Sequence, residues 1–222
     1  ARVWDGGGAN DNWSASANWD NVVPVNGDRV VFAGSTRQSN TNDLSSLSLA
    51  SMTFSNGGFT LNGNALTLTG ALTNLMGTTT IKHDVAWSST AAKLWNIASG
   101  SEISLDNTNT IEVSGDHNLI GGGTLRIKKR MNIGQATTNN PAFMIQEGNQ
   151  IIDGGTLATR GDYRIGSLGT GAASKTILTN GATLNVTASG ATLRVGDSTN
   201  ATTSILEINN SSVILSNANL SL

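Results

Sequence analysis

The phrase Gly-Gly-Thr-Leu at Gly122–Leu125 returns at Gly154–Leu157 and, as Gly-Ala-Thr-Leu, at Gly181–Leu184. A second phrase, an apolar residue followed by Gly, recurs in step with the first, at Ile133–Gly134, Ile165–Gly166 and Val195–Gly196. Both phrases lie in short alternating runs that are typical of strands. A period of about thirty residues is typical of a unit that buries its apolar face by stacking on copies of itself.

The last period contains three strands of the unit, followed by the start of another circuit: Thr183–Val186, Thr192–Val195, Ser204–Ile208 and Ser212–Leu215. Equivalent strands of successive circuits would pair in parallel, about 4.8 Å apart. Because parallel crossovers are almost always right-handed, we expect an all-β fold, a right-handed parallel β-helix, or β-solenoid. The alternative is an antiparallel β-sandwich, in which strands also recur every few residues.

Alternation along these strands predicts which side chains point into the coil. Arg194 and Asn185 should point outward, toward solvent. The predicted interior ladder consists of Leu184, Val186, Leu193, Val195, Leu206 and Ile208.

The composition excludes several classes of function. Charged residues are 13% of the 222 residues, against about 25% in ordinary globular domains, and the net charge is −2. This charge gives no basis for nucleic-acid binding, and no apolar run is long enough for membrane insertion. The chain has no cysteine, so disulfides and thiolate metal sites are excluded. It begins at Ala1 rather than Met, from which we expect a signal peptide to have been removed and the protein to be extracellular.

The first part of the chain differs from the repeats. Residues 1–34 contain three of the five tryptophans, Trp4, Trp13 and Trp19. A solenoid needs an atypical end that covers its first turn, and large aromatic side chains with one polar edge suit that task. We therefore expect residues 1–34 to be an N-terminal cap, contiguous with a β-solenoid over residues 35–222 in one continuous domain.

The same segment carries an ordered set of motifs: Trp4–Gly8, Asn12–Ser14, Ala17–Trp19, Pro24, Gly27–Phe32, Gly58–Leu61 and Gly63–Gly70. This order resembles the opening of secreted bacterial proteins with autotransporter-associated β-strand repeats. The match is specific over about residues 1–75 and compositional afterwards. The resemblance implies a right-handed β-helix on the outside of a bacterial cell, in surface, adhesive or matrix roles, and it brings no catalytic residues.

Candidate catalytic groups are scattered. His83 and His117 each adjoin an aspartate, but neighbouring residues of a strand point to opposite faces and form no dyad. Glu147, Asp153 and Asp162 lie within one period and could form a shallow acidic site, but solvated turn residues are the better explanation. We expect no catalytic site and no cofactor, and hence a protein that is not an enzyme.

Three further groups have two interpretations each. Asp5 and Asp11 flank a glycine-rich turn that is either a plain cap turn or a calcium site. Trp87, Trp95 and Tyr163 would stack on sugar rings if exposed, or pack inside the coil if buried. The basic cluster at residues 126–130 reads as a solvated strand, with Arg126 and Lys128 outward around Ile127, or as a surface for an acidic polysaccharide.

The final residues carry no charged or helical cap, and their apolar members are Val213, Leu215, Leu220 and Leu222. Three outcomes are open: the native chain continues, the last strand folds back as a lid, or the end docks on another copy. We expect docking, which gives a head-to-tail homopolymer. The expected function is that of a non-enzymatic structural protein that assembles into an extracellular filament or surface layer. The alternatives are an adhesin or carbohydrate-binding passenger and, third, a β-helix enzyme that degrades polysaccharide.

Overall fold

The computed structural model describes residues 1–88, 93–134, 143–145, 147–166, 173–196 and 203–222. These residues form a β-solenoid of about eight turns, as the sequence predicts. All pairings between its strands are parallel, so the antiparallel sandwich is wrong. The helical element among the described residues is one 3-10 turn, Ser16–Asn18.

The described residues contain 26 strands, which are numbered in chain order. The first thirteen are β1 (Arg2–Trp4), β2 (Arg29–Phe32), β3 (Ser39–Asn42), β4 (Leu47–Leu49), β5 (Ser51–Phe54), β6 (Thr60–Gly63), β7 (Leu66–Leu68), β8 (Leu72–Asn74), β9 (Thr78–Ile81), β10 (Val85–Trp87), β11 (Lys93–Ile97), β12 (Glu102–Leu105) and β13 (Thr110–Val113). The others are β14 (His117–Ile120), β15 (Thr124–Ile127), β16 (Arg130–Ile133), β17 (Phe143–Ile145), β18 (Gly148–Asp153), β19 (Thr156–Thr159), β20 (Tyr163–Ile165), β21 (Ser174–Thr179), β22 (Thr183–Val186), β23 (Thr192–Val195), β24 (Ser204–Ile208), β25 (Ser212–Leu215) and β26 (Asn219–Ser221).

Three parallel sheets form the walls of the coil. Sheet A has ten strands in the order β1-β2-β5-β8-β11-β14-β17-β20-β23-β26. Sheet B has eight, β3-β6-β9-β12-β15-β18-β21-β24, and sheet C has eight, β4-β7-β10-β13-β16-β19-β22-β25. Each turn runs through one strand of sheet B, one of sheet C and one of sheet A. The first two strands of sheet A, β1 and β2, belong to residues 1–34.

The core consists of ladders of apolar side chains that face inward from equivalent positions of successive turns. Leu105, Ile127, Ile152 and Leu178 follow one another in sheet B, and all four are buried. Each such side chain contributes about 1.5–3 kcal/mol through burial. The alternation that places them inward is the one predicted from the sequence, and Leu184, Val186 and Leu193 are buried likewise.

The length of a turn is less regular than the repeated phrases indicated. Asn64 donates to the Leu44 carbonyl of the preceding turn across 20 residues, whereas the Thr192 amide donates to Asp162 across 30. The predicted period of about thirty residues therefore holds for the last turns only. Equivalent strands nevertheless stay in register, so the differences in length fall in the corners between sheets.

One copy of each repeated phrase lies in a different sheet from the other two copies. Leu157 pairs with Leu184 in sheet C, as predicted, but Leu125 pairs with Gln150 in sheet B. Likewise Ile165 pairs with Val195, whereas Ile133 pairs with Thr159. The physical reason is that a glycine with positive φ followed by an inward Leu suits any corner that leads into a strand. The phrase therefore marks a corner, not a particular sheet.

Candidate functional site

The N-terminal end of the coil is closed by residues 1–34, which we call the cap. The Trp13 amide donates to the Thr41 carbonyl at the edge of sheet B (3.0 Å), and the Gly27 amide donates to Ser48 at the edge of sheet C (2.8 Å). At the edge of sheet A, the Asp20 amide donates to the Val3 carbonyl (3.0 Å). Edge backbone groups of all three sheets are therefore engaged by the cap, which blocks strand addition there.

The three tryptophans predicted as the cap are buried and pack on one another. The ring centroids of Trp4 and Trp19 lie 5.1 Å apart, and those of Trp13 and Trp19 lie 5.6 Å apart, both edge to face. Trp13 Nε1 donates to Asn40 Oδ1 (2.8 Å), and Trp19 Nε1 donates to the Trp13 carbonyl (2.9 Å). These bonds orient the indoles beneath the first turn.

The opposite end presents its interior ladder. Leu220 pairs with the buried Leu193 and is 54% exposed, and Leu222 is 90% exposed. Val213 and Leu215 pair with the buried Leu184 and Val186 and are half-buried. Leu206 and Ile208, predicted as interior, also point inward by register, but they belong to this eighth turn and are partly exposed. We call these six residues the axial face.

The last strand does not fold back as a lid. β26 pairs in parallel with β23, in the same way as every earlier strand of sheet A. The eighth turn is therefore an ordinary turn, and its inward residues form the axial face.

Charged and polar side chains join successive turns along the outside of sheet B. Arg126 binds both carboxylate oxygens of Glu102 (2.9 and 3.1 Å) and one oxygen of Asp153 (3.1 Å). The other Asp153 oxygen accepts a bond from Asn180 Nδ2 (2.6 Å). Hydrogen bonding to Glu102 raises the pKa of Arg126 above its ordinary value. We call these four residues the outer tie; it spans four turns. The position of Arg126 in the outer tie agrees with the prediction that this side chain points outward.

A shallow groove of about 480 Å³ crosses the outer face of sheet C. Its floor is made of small residues from successive turns, including Ala65, Thr67 and Ala86, and Asp84 and Glu112 stand at its side. Asp84 accepts bonds from Asn109, and Glu112 accepts one from Asn132. Sequence reasoning missed the groove because these residues meet only through the register of four strands.

The structure does not bring the three acidic candidates of one period together. Glu147 precedes β18, Asp153 ends it, and Asp162 precedes β20. They occupy three different corners of one turn. Asp153 belongs to the outer tie, and Asp162 binds Arg164 (2.6 Å) and the Thr192 amide (2.8 Å). No shallow site of these three carboxylates exists.

Asp5 and Asp11 are engaged within the cap. Asp5 Oδ1 accepts a bond from the Gly7 amide (2.9 Å), and Asp11 Oδ1 lies 3.0 Å from Arg37 Nη1. Over the described ranges no group of three or more His, Asp or Glu residues could hold a metal ion. A calcium site at Asp5 and Asp11 stays a prediction.

The aromatic candidates for sugar stacking lie in the core. Trp87, Trp95 and Tyr163 are buried, and the rings of Trp87 and Trp95 stack 4.7 Å apart. His83 and His117 are also buried, and burial lowers the pKa of each to about 4. Both imidazoles are therefore neutral near pH 7. None of these five rings is available to a ligand at the surface.

Within the part of the chain that the structure describes, no helix is long and apolar enough to cross a bilayer. No protein-family model matches the chain, and no match was found among curated proteins or solved structures. The resemblance to autotransporter-associated repeat proteins therefore rests on the quoted motifs of residues 1–75.

Proposed function

We propose that the chain is a non-enzymatic structural protein: a rigid extracellular solenoid that self-associates along its axis into a filament or surface layer. Side-chain contacts that hold one turn to the next are the basis of this proposal. The chain's charged groups on sheet B and its two histidines do not converge on a pocket. They contact residues of neighbouring turns and so help to hold the coil together.

The single observation that carries the structural role is the outer tie. Glu102, Arg126, Asp153 and Asn180 come from four successive turns and are linked by hydrogen bonds of 2.6–3.1 Å. The Glu102, Arg126 and Asp153 side chains are 23–25% exposed, so solvent screens these contacts only in part. Such a tie resists separation of turns along the axis, which is a mechanical property.

The two ends of the coil support self-association. The axial face exposes apolar side chains at one end, whereas the cap, which blocks strand addition, exposes Val22 (44%) and Val25 (58%) at the other. A head-to-tail contact would therefore seat the axial face of one copy on the cap of the next, without extending the sheets. Because this contact joins different surfaces, it can repeat into an open filament.

Light scattering and electron microscopy of the purified chain at rising concentration test the assembly. We expect axial stacks for the wild type and for I214D, because Ile214 is 45% exposed but pairs with the outward Asn185 on a side wall. L220D alters the axial face and V25D alters the cap, so each alone should stay monomeric. An equimolar mixture of L220D and V25D should form dimers and nothing larger.

The outcomes separate the alternatives. A wild type that remains monomeric at all concentrations contradicts the assembly. If V25D assembles as the wild type does while L220D fails, the contact joins two axial faces, and the head-to-tail arrangement is wrong. If I214D fails as L220D does, association is a non-specific effect of exposed apolar surface.

The groove on sheet C favours a second candidate, a carbohydrate-binding passenger. Asp84 and Glu112 can accept hydrogen bonds from sugar hydroxyls, and the small floor residues leave room for a chain that lies across the strands. Binding of the monomeric L220D variant to a glycan array, lost on E112Q substitution, would support this candidate. Calcium-dependent depolymerisation of an acidic polysaccharide would instead support the third alternative, an enzyme.

A further inference from the structure

Both histidines of the chain lie inside the coil, where each ring contacts aromatic rings from other turns or from the cap. The His83 ring packs edge to face with Trp13 of the cap, with centroids 6.1 Å apart. The His117 ring meets Trp95 edge to face at 5.5 Å and stacks on Phe143 at 6.3 Å. His83 therefore connects the cap to the third turn, and His117 connects turns three, four and five.

Each imidazole has one hydrogen-bond partner and one bare nitrogen. Nδ1 of His117 donates to the Gly115 carbonyl (2.9 Å), and Nδ1 of His83 donates to the Asp84 carbonyl (3.3 Å). The Nε2 atom of both rings is buried and has no hydrogen-bond partner among the described residues. A proton added at Nε2 would find no acceptor among the residues that the structure describes, and a buried unpaired charge is strongly unfavourable.

The charged groups around the rings offset this cost only in part: the Asp84 carboxylate raises the pKa of His83, but burial lowers it by more. His117 pairs across the sheet with Lys93, which is itself buried, so a second positive charge there would be repelled. Asp116 lies next to His117 in the chain. Asp84, next to His83, has both carboxylate oxygens on Asn109. Trp13, Trp87, Trp95 and Phe143, the rings that contact the two imidazoles, carry no charge.

We propose that the two histidines make the coil acid-labile at defined levels, so that mild acid detaches the cap from the third turn and loosens turns three to five. Expulsion of a charged His83 removes the contact of Trp13, whose amide closes the edge of sheet B. Acid would thereby uncover strand edges at the capped end. The device acts on the coil itself and does not depend on the proposed self-association.

The fold loses stability as the pH falls because the unfolded chain binds protons more readily than the folded chain. The pKa of each histidine is about 4 in the fold, against 6.5 for the free side chain, so the unfolded chain binds protons first as the pH falls. The stabilisation is fully present above pH 6.5 and is lost toward pH 4. Between pH 7.5 and pH 5 each histidine should lower the ratio of folded to unfolded protein about 30-fold.

Denaturant unfolding of the full chain at several pH values between 7.5 and 5 tests the proposal. The wild type should lose stability in this window. H83N and H117N each retain a side-chain N–H that can donate to the same backbone carbonyl, but neither variant side chain titrates. In each variant the ratio of folded to unfolded protein should therefore fall about 30-fold less than in the wild type between pH 7.5 and pH 5. Hydrogen exchange at pH 5, corrected for intrinsic rates, should quicken at the Trp13 and Thr41 amides while β22 remains protected.

A flat wild-type profile in this window overturns the proposal, as does an unchanged slope in both variants. If a variant fails to fold, an NMR titration of the wild-type histidine ring protons decides the matter. Midpoints near 4 support the proposal, and midpoints near 6.5 contradict it. Uniform acceleration of exchange along the whole coil contradicts the assignment to defined levels.

Discussion

Arg126 and Glu102, from adjacent turns of sheet B, form a bidentate ion pair in which Nε and Nη2 each donate to one carboxylate oxygen. Planar two-point pairing of this kind is stronger than a single contact. The third Arg126 contact, with Asp153, makes the guanidinium a bridge between two carboxylates one turn above and one turn below it.

Replacing Arg126 by Met should therefore lower the free energy of unfolding by about 1–3 kcal/mol, because Glu102 and Asp153 lose their shared partner. The matched control is Lys128→Met, at the residue that directly follows β15. Lys128 lies 4.0 Å from Asp106 and is 40% exposed, so its loss should cost less than about 0.5 kcal/mol. Urea unfolding of both variants measures the difference, and equal effects would contradict the outer tie.

The cap gives a second prediction, from two tryptophans that are equally buried but differ in hydrogen bonding. Trp13 Nε1 donates to Asn40, whereas Trp4 Nε1 has no partner among the described residues. Both Trp→Phe substitutions remove similar volume, but only Trp13→Phe leaves the buried Asn40 oxygen without its donor. Trp13→Phe should therefore destabilise the chain by about 1–2 kcal/mol more than Trp4→Phe. Thermal or denaturant unfolding that ranks them in the opposite order contradicts this account of the cap.

The interior ladder is tested by Leu184→Ala. Leu184 is fully buried between Leu157 and Val213, so truncation should cost about 2–5 kcal/mol. The adjacent outward residue is the control, since Asn185→Ala should change the stability by less than about 0.5 kcal/mol. A cost below about half a kilocalorie for Leu184→Ala would count against the register.

Close contact between turns gives a fourth prediction. Gly148 has φ of 105°, and a Cβ there would lie 2.4 Å from the Gly123 carbonyl oxygen of the preceding turn. Gly148→Ala should therefore cost about 2–5 kcal/mol through strain and overlap. Gly100 also has positive φ, 77°, but a Cβ there meets nothing within 4 Å, so Gly100→Ala should cost only about 1–2 kcal/mol. Similar costs for the two variants, measured by denaturant unfolding, would show that the turns are not this close.

Local alternation was enough to predict the inward direction of the ladder, and the recurrence of the two phrases predicted the parallel coil. Leu184, Val186 and Leu193 are buried as expected because burial on one face imposes a period of two on every strand. The phase of the repeat was harder, since the corner at Gly122 and the corner at Gly154 use the same glycine chemistry before strands of different sheets. Positive-φ glycines precede strands of all three sheets, as at Gly122, Gly154 and Gly190, so they do not identify the sheet that follows.

The surface features depend on register and were not accessible from the sequence. Asp84 and Glu112 flank one groove because Trp87 pairs with Val113 across β10 and β13. This register places Ala86 beside Glu112. The outer tie was half predicted: Arg126 was expected to point outward, but its partners one turn away in each direction follow from corner lengths that alternation does not reveal. The shallow acidic site, which the sequence favoured less than solvated turn residues, does not form because Asp153 and Asp162 lie at different corners of the turn.

Immunogold electron microscopy of untreated cells that make the protein tests the proposed structural role most directly. An antibody against the outward side chains of sheet C leaves both ends of the coil free. The account predicts gold particles along filaments or across a continuous layer outside the cell. Label confined to the cell interior, or dispersed outside it without any ordered material, would contradict the proposed function.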